Sequence, residues 1–307
     1  MDKEIKDLRI VITGASGYIG SQLVKKLDSI GCNLAIIKRD NSDLTALYNI
    51  KNKLNIYVYD NSTKCVIDIF EDFKPDIVIH LASLFLADHK SEQVENLISS
   101  NLLFSTQIAE AMKQTNVQFM VNTGTSWEHY NNSQYNPVCL YAATKNAFES
   151  IIEYYIQTSK MKVATLKLFD TYGCNDPRSK LIPFLRKLAL NRDKIDMTDG
   201  EQLIDIVHID DVIEAYICAI IQLVDEKIIG HERFIISSGK HISLRDLVKT
   251  FEQVMKVDIN VNWGTRPYRD REVMIPATKG SNLPGWKPKI SLKQGFEKFL
   301  QEQDYEQ

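Results

Sequence analysis

The chain has 307 residues, 44% of them hydrophobic and 25% charged, with a formal net charge of −3, enough for one large domain or two unequal ones with an ample core. That balance lacks the basic footprint of a nucleic-acid binder and offers no attraction to an anionic membrane; residues 1–7 lack the apolar run of a signal peptide, and the apolar stretch 212–224 is too short for a membrane span. The five scattered cysteines (Cys32, Cys65, Cys139, Cys174, Cys218) have no metal-like spacing and read as thiols of a reducing cytoplasm, so zinc and thiol catalysis are not expected.

Residues 8–13 read as a strand and 17–30 as a helix. Between them Gly14-x-x-Gly17-x-x-Gly20 lets the backbone turn tightly and approach a pyrophosphate at a helix N-terminus, where free N–H groups and the dipole favour anions. The strand before it and the helix after it are the context a dinucleotide loop requires. Gly14, Ser16, Gly17, Tyr18, Ile19 and Gly20 are therefore the first cofactor contacts. Residues 33–38 form the second strand, which ends in Lys38-Arg39-Asp40. NAD-specific sites carry an acid near this point and NADP sites a cation. Lys38 and Arg39 favour NADP(H), while Asp40 leaves NAD(H) open.

Strands then follow at 55–59, 76–81, 117–122 and 162–169, with helices at 64–73, 92–114 and 140–159. Repeated strand–helix units of this length predict a doubly wound parallel sheet, α/β in class, covered on both faces. The nearly all-apolar run 76–81 suits a strand buried on both sides. Val121-Asn-Thr123-Gly-Thr125-Ser126 lies at a strand's carboxyl end, where such sheets bind ligands. In the helix 140–159, Tyr141 and Lys145 stand four apart and share a face. An ammonium beside a phenol favours the phenolate, making the pair a poised proton donor and acceptor.

After residue 169 the pattern changes. Loop formers fill 170–178, 180–191 reads as a helix, and 205–208 with its following helix, plus a strand at 233–237, are expected to rejoin the sheet. Amphipathic helices at 243–256 and 291–301 flank the Pro- and Gly-rich 265–288. This predicts a dinucleotide-binding domain over 1–170, rejoined by 204–237, and a smaller domain built from 171–203 and 238–307. Arg266, Arg269 and Arg271 offer bidentate forks for a diphosphate.

The motifs Thr13-Gly-Ala-Ser-Gly-Tyr-Ile-Gly20, Tyr59-Asp60-Asn61, His80-Leu-Ala-Ser83, Tyr141-Ala-Ala-Thr-Lys145, Tyr172-Gly173, Gly200-Glu-Gln202, Ile209-Asp-Asp-Val212 and Gly285-Trp-Lys-Pro288 jointly resemble those of extended short-chain dehydrogenase/reductases of the nucleotide-sugar epimerase/dehydratase type, over residues 8–300. The resemblance implies that Tyr141 is the acid/base, that Lys145 holds the nicotinamide ribose and lowers the Tyr141 pKa, and that Thr123, with Thr125 in reserve, orients the substrate oxygen. It assigns Asp60 and Asn61 to the adenine, and Leu81, Ala82 and Ser83 to the cofactor's phosphates and ribose. His80 is expected to be a packed strand-end residue. On the substrate side it implies a nucleotide-embracing segment beginning at Lys180 and Leu181, a diphosphate contact from Arg266, and Asp170 in place of the usual Asn. The family's arginine before Asp205 is Ile204 here.

The family's 4,6-dehydratases carry Asp-Glu directly after the catalytic Thr, because eliminating water needs an acid and a base on adjacent carbons. Here those positions are Gly124 and Thr125, so dehydration is not expected, with Glu128 and His129 left as a different acid/base pair. The chain is most similar to nucleotide-sugar 4-ketoreductases of the CDP-abequose and CDP-paratose synthase type. That implies NADPH-dependent reduction of a 4-keto group on a deoxyhexose nucleotide sugar, with no nucleic-acid or membrane partner. The alternatives are a nucleotide-sugar epimerase with tightly bound NAD and, in a different class, a non-catalytic NADP-sensing or RNA-binding member of the fold. The helices 92–114 and 140–159 are the implied homodimer interface.

Overall fold

The structure is a computed structural model that describes residues 5–191 and 193–303. Its first half runs β1 (Arg9–Thr13), α1 (Tyr18–Ile30), β2 (Asn33–Lys38), β3 (Asn55–Val58), α2 (Thr63–Phe73), β4 (Ile77–His80), α3 (Val94–Ile98), α4 (Phe104–Gln114), β5 (Phe119–Thr125), α5 (Leu140–Thr158) and β6 (Lys162–Leu168). The second half adds β7 (Asp170–Tyr172), α6 (Leu181–Asn191), β8 (Ile195–Asp196), β9 (Leu203–Ile204), β10 (Ile206–His208), α7 (Ile209–Val224), β11 (His231–Ile236), β12 (Ile242–Ser243), α8 (Leu244–Met255), β13 (Val261–Asn262), β14 (Ser281–Asn282) and α9 (Leu292–Gln303).

The large sheet has the order β14-β11-β6-β5-β4-β1-β2-β3, and every pairing in it is parallel. Its central strands β1, β2 and β4 are largely apolar and buried because both faces are covered. Ile10 and Ile12 of β1 enter one apolar cluster with α1 and α7, while Val11 enters the opposite one with α2, α4 and α5. A third cluster gathers Leu185 of α6, Leu247 and Phe251 of α8, and Phe296 and Phe299 of α9. Because β1 leads outward to β2 and β4 leads the other way to β5, a crevice opens at the carboxyl ends of β1 and β4. Among the described residues no helix is long and apolar enough to cross a membrane.

Four details depart from expectation. The segment around 205–208 does not enter the large sheet; β10 instead pairs with β7 in a separate two-stranded ribbon. The strand that joins the sheet edge is β14, from the Pro- and Gly-rich segment, pairing with β11 through Phe234 and Ser281. The helix foreseen over 92–114 is broken by a π turn at Ser99–Leu103 between α3 and α4. Finally, β5 runs on to Thr125 because β6 continues alongside it, pairing Thr125 with Leu168.

Candidate active site

The glycine loop has the geometry a pyrophosphate needs. Gly14 takes φ 73°, and a Cβ there would lie 2.6 Å from the Ala82 nitrogen, so only glycine lets β1 turn so close to the end of β4. A Cβ on Gly20 would run into the Gly14 carbonyl oxygen. Gly17, at the start of α1, leaves the first helical N–H groups without a side-chain cap. From this loop a cleft of about 610 Å³ extends past Ser16, Leu81, Ala82 and Ser83 to Arg39, Ser42 and Asn61. Size, glycines and open N–H groups together fit a dinucleotide. Tyr18, Ile19 and Gly20 line the adjoining cleft, which holds Tyr141 and Lys145.

Two of the expected cofactor contacts are otherwise engaged. Lys38 Nζ donates to the backbone carbonyls of Arg39 and Asp40 at 2.9 and 2.7 Å, and Lys38 and Arg39 both line the cleft. Asp60 accepts the Ser62 N–H at 2.8 Å and lines a separate shallow surface groove. His80 is fully buried, with Nδ1 2.8 Å from the Thr13 hydroxyl and Nε2 2.8 Å from the Ser105 hydroxyl. It is the packed strand-end residue expected.

Tyr141 and Lys145 lie on the first turns of α5, facing the cleft. The Ser83 and Thr125 hydroxyls lie close enough to the Tyr141 hydroxyl to act on its pKa, and the Phe85 ring meets the phenol edge-on at 5.0 Å. Thr123 also lines this cleft, but its hydroxyl pairs with the buried Tyr216 hydroxyl on α7 at 2.7 Å. Burial dominates the electrostatics of both groups. Burial pushes the phenol well above its ordinary value, the Cys139 and Glu128 charges add to the rise, and the Ser83 and Thr125 hydroxyls offset part of it. Burial also brings Lys145 down to about 8, against the opposing pull of Glu128 and Glu149. For each group, removal from water is the largest effect.

The substrate side opens between α5 and the second half of the chain. Trp127 and Phe85 pack at 5.5 Å, and the Lys180 ammonium sits 4.2 Å from the Phe85 ring and 3.7 Å from Asp170. Leu181 and Arg269 complete this wall. Arg269 holds Glu272 through two 3.0 Å bonds and lies 5.7 Å from the Trp127 ring. Arg266, the expected diphosphate arginine, is exposed and lines none of the clefts described here. Arg271 is committed to the Val138 and Pro137 carbonyls and to Asn136. Glu128 and His129 do not form an acid/base pair over the sugar. Glu128 is fully buried against Lys167 at 2.8 Å, and His129 Nδ1 donates to the Ser133 and Gln134 carbonyls.

The structure adds residues that sequence reasoning missed. Asn101, fully buried in the π turn, accepts from Ser83 Oγ and the Leu84 N–H and donates to the Leu84 carbonyl and Thr144 Oγ1. It ties the end of β4 to the turn of α5 that carries Tyr141 and Lys145. No spacing announces a π turn. Phe85, Trp127 and Tyr216 are ordinary apolar positions in a sequence, and only packing brings them to the pocket.

The model of the NAD dependent epimerase/dehydratase family matches residues 10–231. The chain is 26% identical to the CDP-abequose synthase of Salmonella typhimurium, covering 95% of this chain and 97% of that protein. It is 24% identical to a UDP-glucose 4-epimerase of Lactobacillus helveticus, covering 92% of each. Among solved structures, the UDP-glucose 4-epimerase of Stenotrophomonas maltophila with bound NAD superposes with a TM-score of 0.85 at 19% identity, over 98% of this chain and all of that one.

Proposed function

The chain belongs to the NAD dependent epimerase/dehydratase family, and from that premise we propose that it is an NADPH-dependent reductase of the 4-keto group of a deoxyhexose nucleotide sugar. The setting of Tyr141 carries this reading: its phenol stays protonated beside Thr125 and Ser83, in the cleft that runs from the glycine loop to the aromatic wall. A protonated phenol is what a carbonyl oxygen requires as it becomes a hydroxyl. The nicotinamide, when bound, supplies the hydride to the carbonyl carbon. Tyr141 gives its proton to the developing alkoxide, Thr125 donates a hydrogen bond to the same oxygen, and the Lys145 ammonium adds a positive charge nearby. Gly124 and Thr125 bring no carboxylate to the strand end, which leaves elimination without its acid and base. Similarity to three CDP-abequose synthases, at 24–28% identity, supports the same chemistry.

Arg39 and Ser42 support NADPH as the partner, since they line the far end of the cofactor cleft. The second reading, an epimerase that retains NAD, is favoured by the similarity to UDP-glucose 4-epimerase and by Lys38 having turned back onto its own backbone. We read the clusters around the large sheet as a cytoplasmic enzyme's dinucleotide-binding domain (1–170 with 204–237) and the remainder as its sugar-binding domain. Exposed Ile98 on α3 and Tyr154 on α5 support a homodimer.

The test offers NADPH and a panel of enzymatically generated 4-keto nucleotide sugars and follows loss of near-ultraviolet absorbance, with NMR of the product. Consumption with at least one member is expected. Failure with all of them, together with NAD released from the denatured protein, would establish the epimerase reading instead.

A further inference from the structure

Between α5 and the carboxyl ends of β5 and β6 lies a buried charged cluster that the proposed reaction does not use. Glu128 and Glu149 are 0% and 2% exposed and Lys167 is 6% exposed. Lys167 Nζ stands 2.8 Å from Glu128 Oε2 and 3.7 Å from Glu149 Oε2. Asn146 donates to Glu128 Oε2 at 3.1 Å, and Arg233 Nε donates to Glu149 Oε2 at 2.7 Å. Arg233 continues to the half-exposed Glu153, which also meets the buried His231 side chain. Each buried carboxylate nonetheless keeps one oxygen, Oε1, without a hydrogen-bond partner. A purely structural ion pair gains most when every lone pair is met. These two carboxylates leave negative charge unspent in the interior, close to the strand end that carries Thr123 and Thr125.

The location of that charge is specific. Glu149 is one turn beyond Lys145 on the same face of α5. Its orphan Oε1 lies 3.2 Å from the point a Cβ on Gly124 would occupy, with Thr165 Cγ2 at 2.8 Å and Lys167 Cγ at 3.2 Å. Gly124 is thus the gap in β5 through which the carboxylate comes up against the catalytic strand.

We propose that Glu128 and Glu149, braced by Lys167 and Arg233, are positioning residues for the Tyr141–Lys145 pair: their buried carboxylates are the counter-charge behind the Lys145 ammonium. The inference rests on the reading of Tyr141 and Lys145 given above. Lys145 is 2% exposed, and isolation from water alone favours the neutral amine. The ionisable groups that face it are Tyr141 and Glu149 from α5, Glu128 from the turn after β5, and His80 from β4. His80 is held neutral by burial and by the Lys145 charge itself. Only the two carboxylates pull Lys145 toward the charged form, and they do so against burial. Burial, then the Glu128 charge, in turn raise the Glu149 carboxyl above its usual range, while Lys167 and Arg233 hold it down. Lys167 and Arg233 therefore keep Glu149 ionised in the same interval where Lys145 titrates.

The test reads Lys145 directly, without substrate. Trace acetic anhydride labels amines in proportion to their neutral fraction, and the label on the peptide carrying Lys145 is followed by mass spectrometry from neutral to alkaline pH. In Glu128→Gln the midpoint is expected to fall by about one pH unit, with a smaller fall in Glu149→Gln and a return toward the wild-type midpoint in Glu149→Asp. A residue that merely supports the fold would lower the unfolding temperature and leave the midpoint in place. If Glu149→Gln does not fold by circular dichroism, Glu128→Gln decides alone. An unchanged midpoint in the folded variants overturns the proposal, whichever sugars the protein accepts.

Discussion

The Thr123 hydroxyl pairs with that of Tyr216 at 2.7 Å, while that of Thr125, two residues on, accepts the Trp127 N–H at 3.3 Å and acts on the Tyr141 phenol. The two hydroxyls on one strand end therefore have different partners. Thr125→Val is expected to cut kcat by about 10²–10³-fold, the usual loss for one oxyanion donor. Thr123→Val is expected to cost stability instead, about 1–3 kcal/mol, because it strands the buried Tyr216 hydroxyl. Steady-state kinetics and urea unfolding on both variants would separate the roles. Equal kinetic losses would return the orienting role to Thr123.

The proposed preference for NADPH is expected to depend on Arg39 more than on Lys38, whose ammonium donates to two backbone carbonyls. Arg39→Ala should weaken NADPH binding by about 10- to 100-fold, the worth of a charge-assisted hydrogen bond, and leave NADH nearly unchanged. Lys38→Ala should change neither by more than a few-fold. Fluorescence titration with both reduced cofactors reads this out.

For the nucleotide sugar, Arg269 is expected to matter and Arg266 is not. Arg269 lines the pocket, held by Glu272 against Trp127. Arg269→Ala should raise KM about tenfold or more, through loss of a charged contact to the diphosphate. Arg266→Ala should leave KM within a factor of two, and a large effect there would point to a pose in which residues 265–268 fold inward.

Gly124→Ala tests how tightly β5 is packed against the buried cluster. The added methyl would meet Thr165 Cγ2 at 2.8 Å, next to Glu149 Oε1 and Lys167 Cγ. Overpacking of this kind costs about 1–3 kcal/mol, measurable as a lower urea midpoint at unchanged slope. A stability equal to wild type would mean that Thr165 and Lys167 yield easily.

Much of the fold was legible because strands buried on both faces leave uninterrupted apolar runs, as β1, β2 and β4 do. The Tyr141–Lys145 pair was legible from a spacing that the helix converts into one face. Other features were not. Thr123-Gly124-Thr125 has no apolar pattern, so the end of β5 became visible only through its pairing with β6. A three-residue strand such as β10 carries nothing that names its partner. The three arginines between 266 and 271 look alike until Glu272, Trp127 and Val138 sort them. The direction of the Tyr141 shift depends on how completely the fold excludes water, which no local sequence records.

The π turn at Ser99–Leu103 also bears on engineering this chain. It accommodates an additional residue, and each residue turns an α-helix by about 100°. A single deletion there would rotate α4 relative to α3, swinging Phe104, Ile108 and Met112 off the sheet and taking Asn101 from Ser83 and Thr144. Segments exchanged with a relative must be joined outside 99–103, or the two halves of the helix will arrive out of phase.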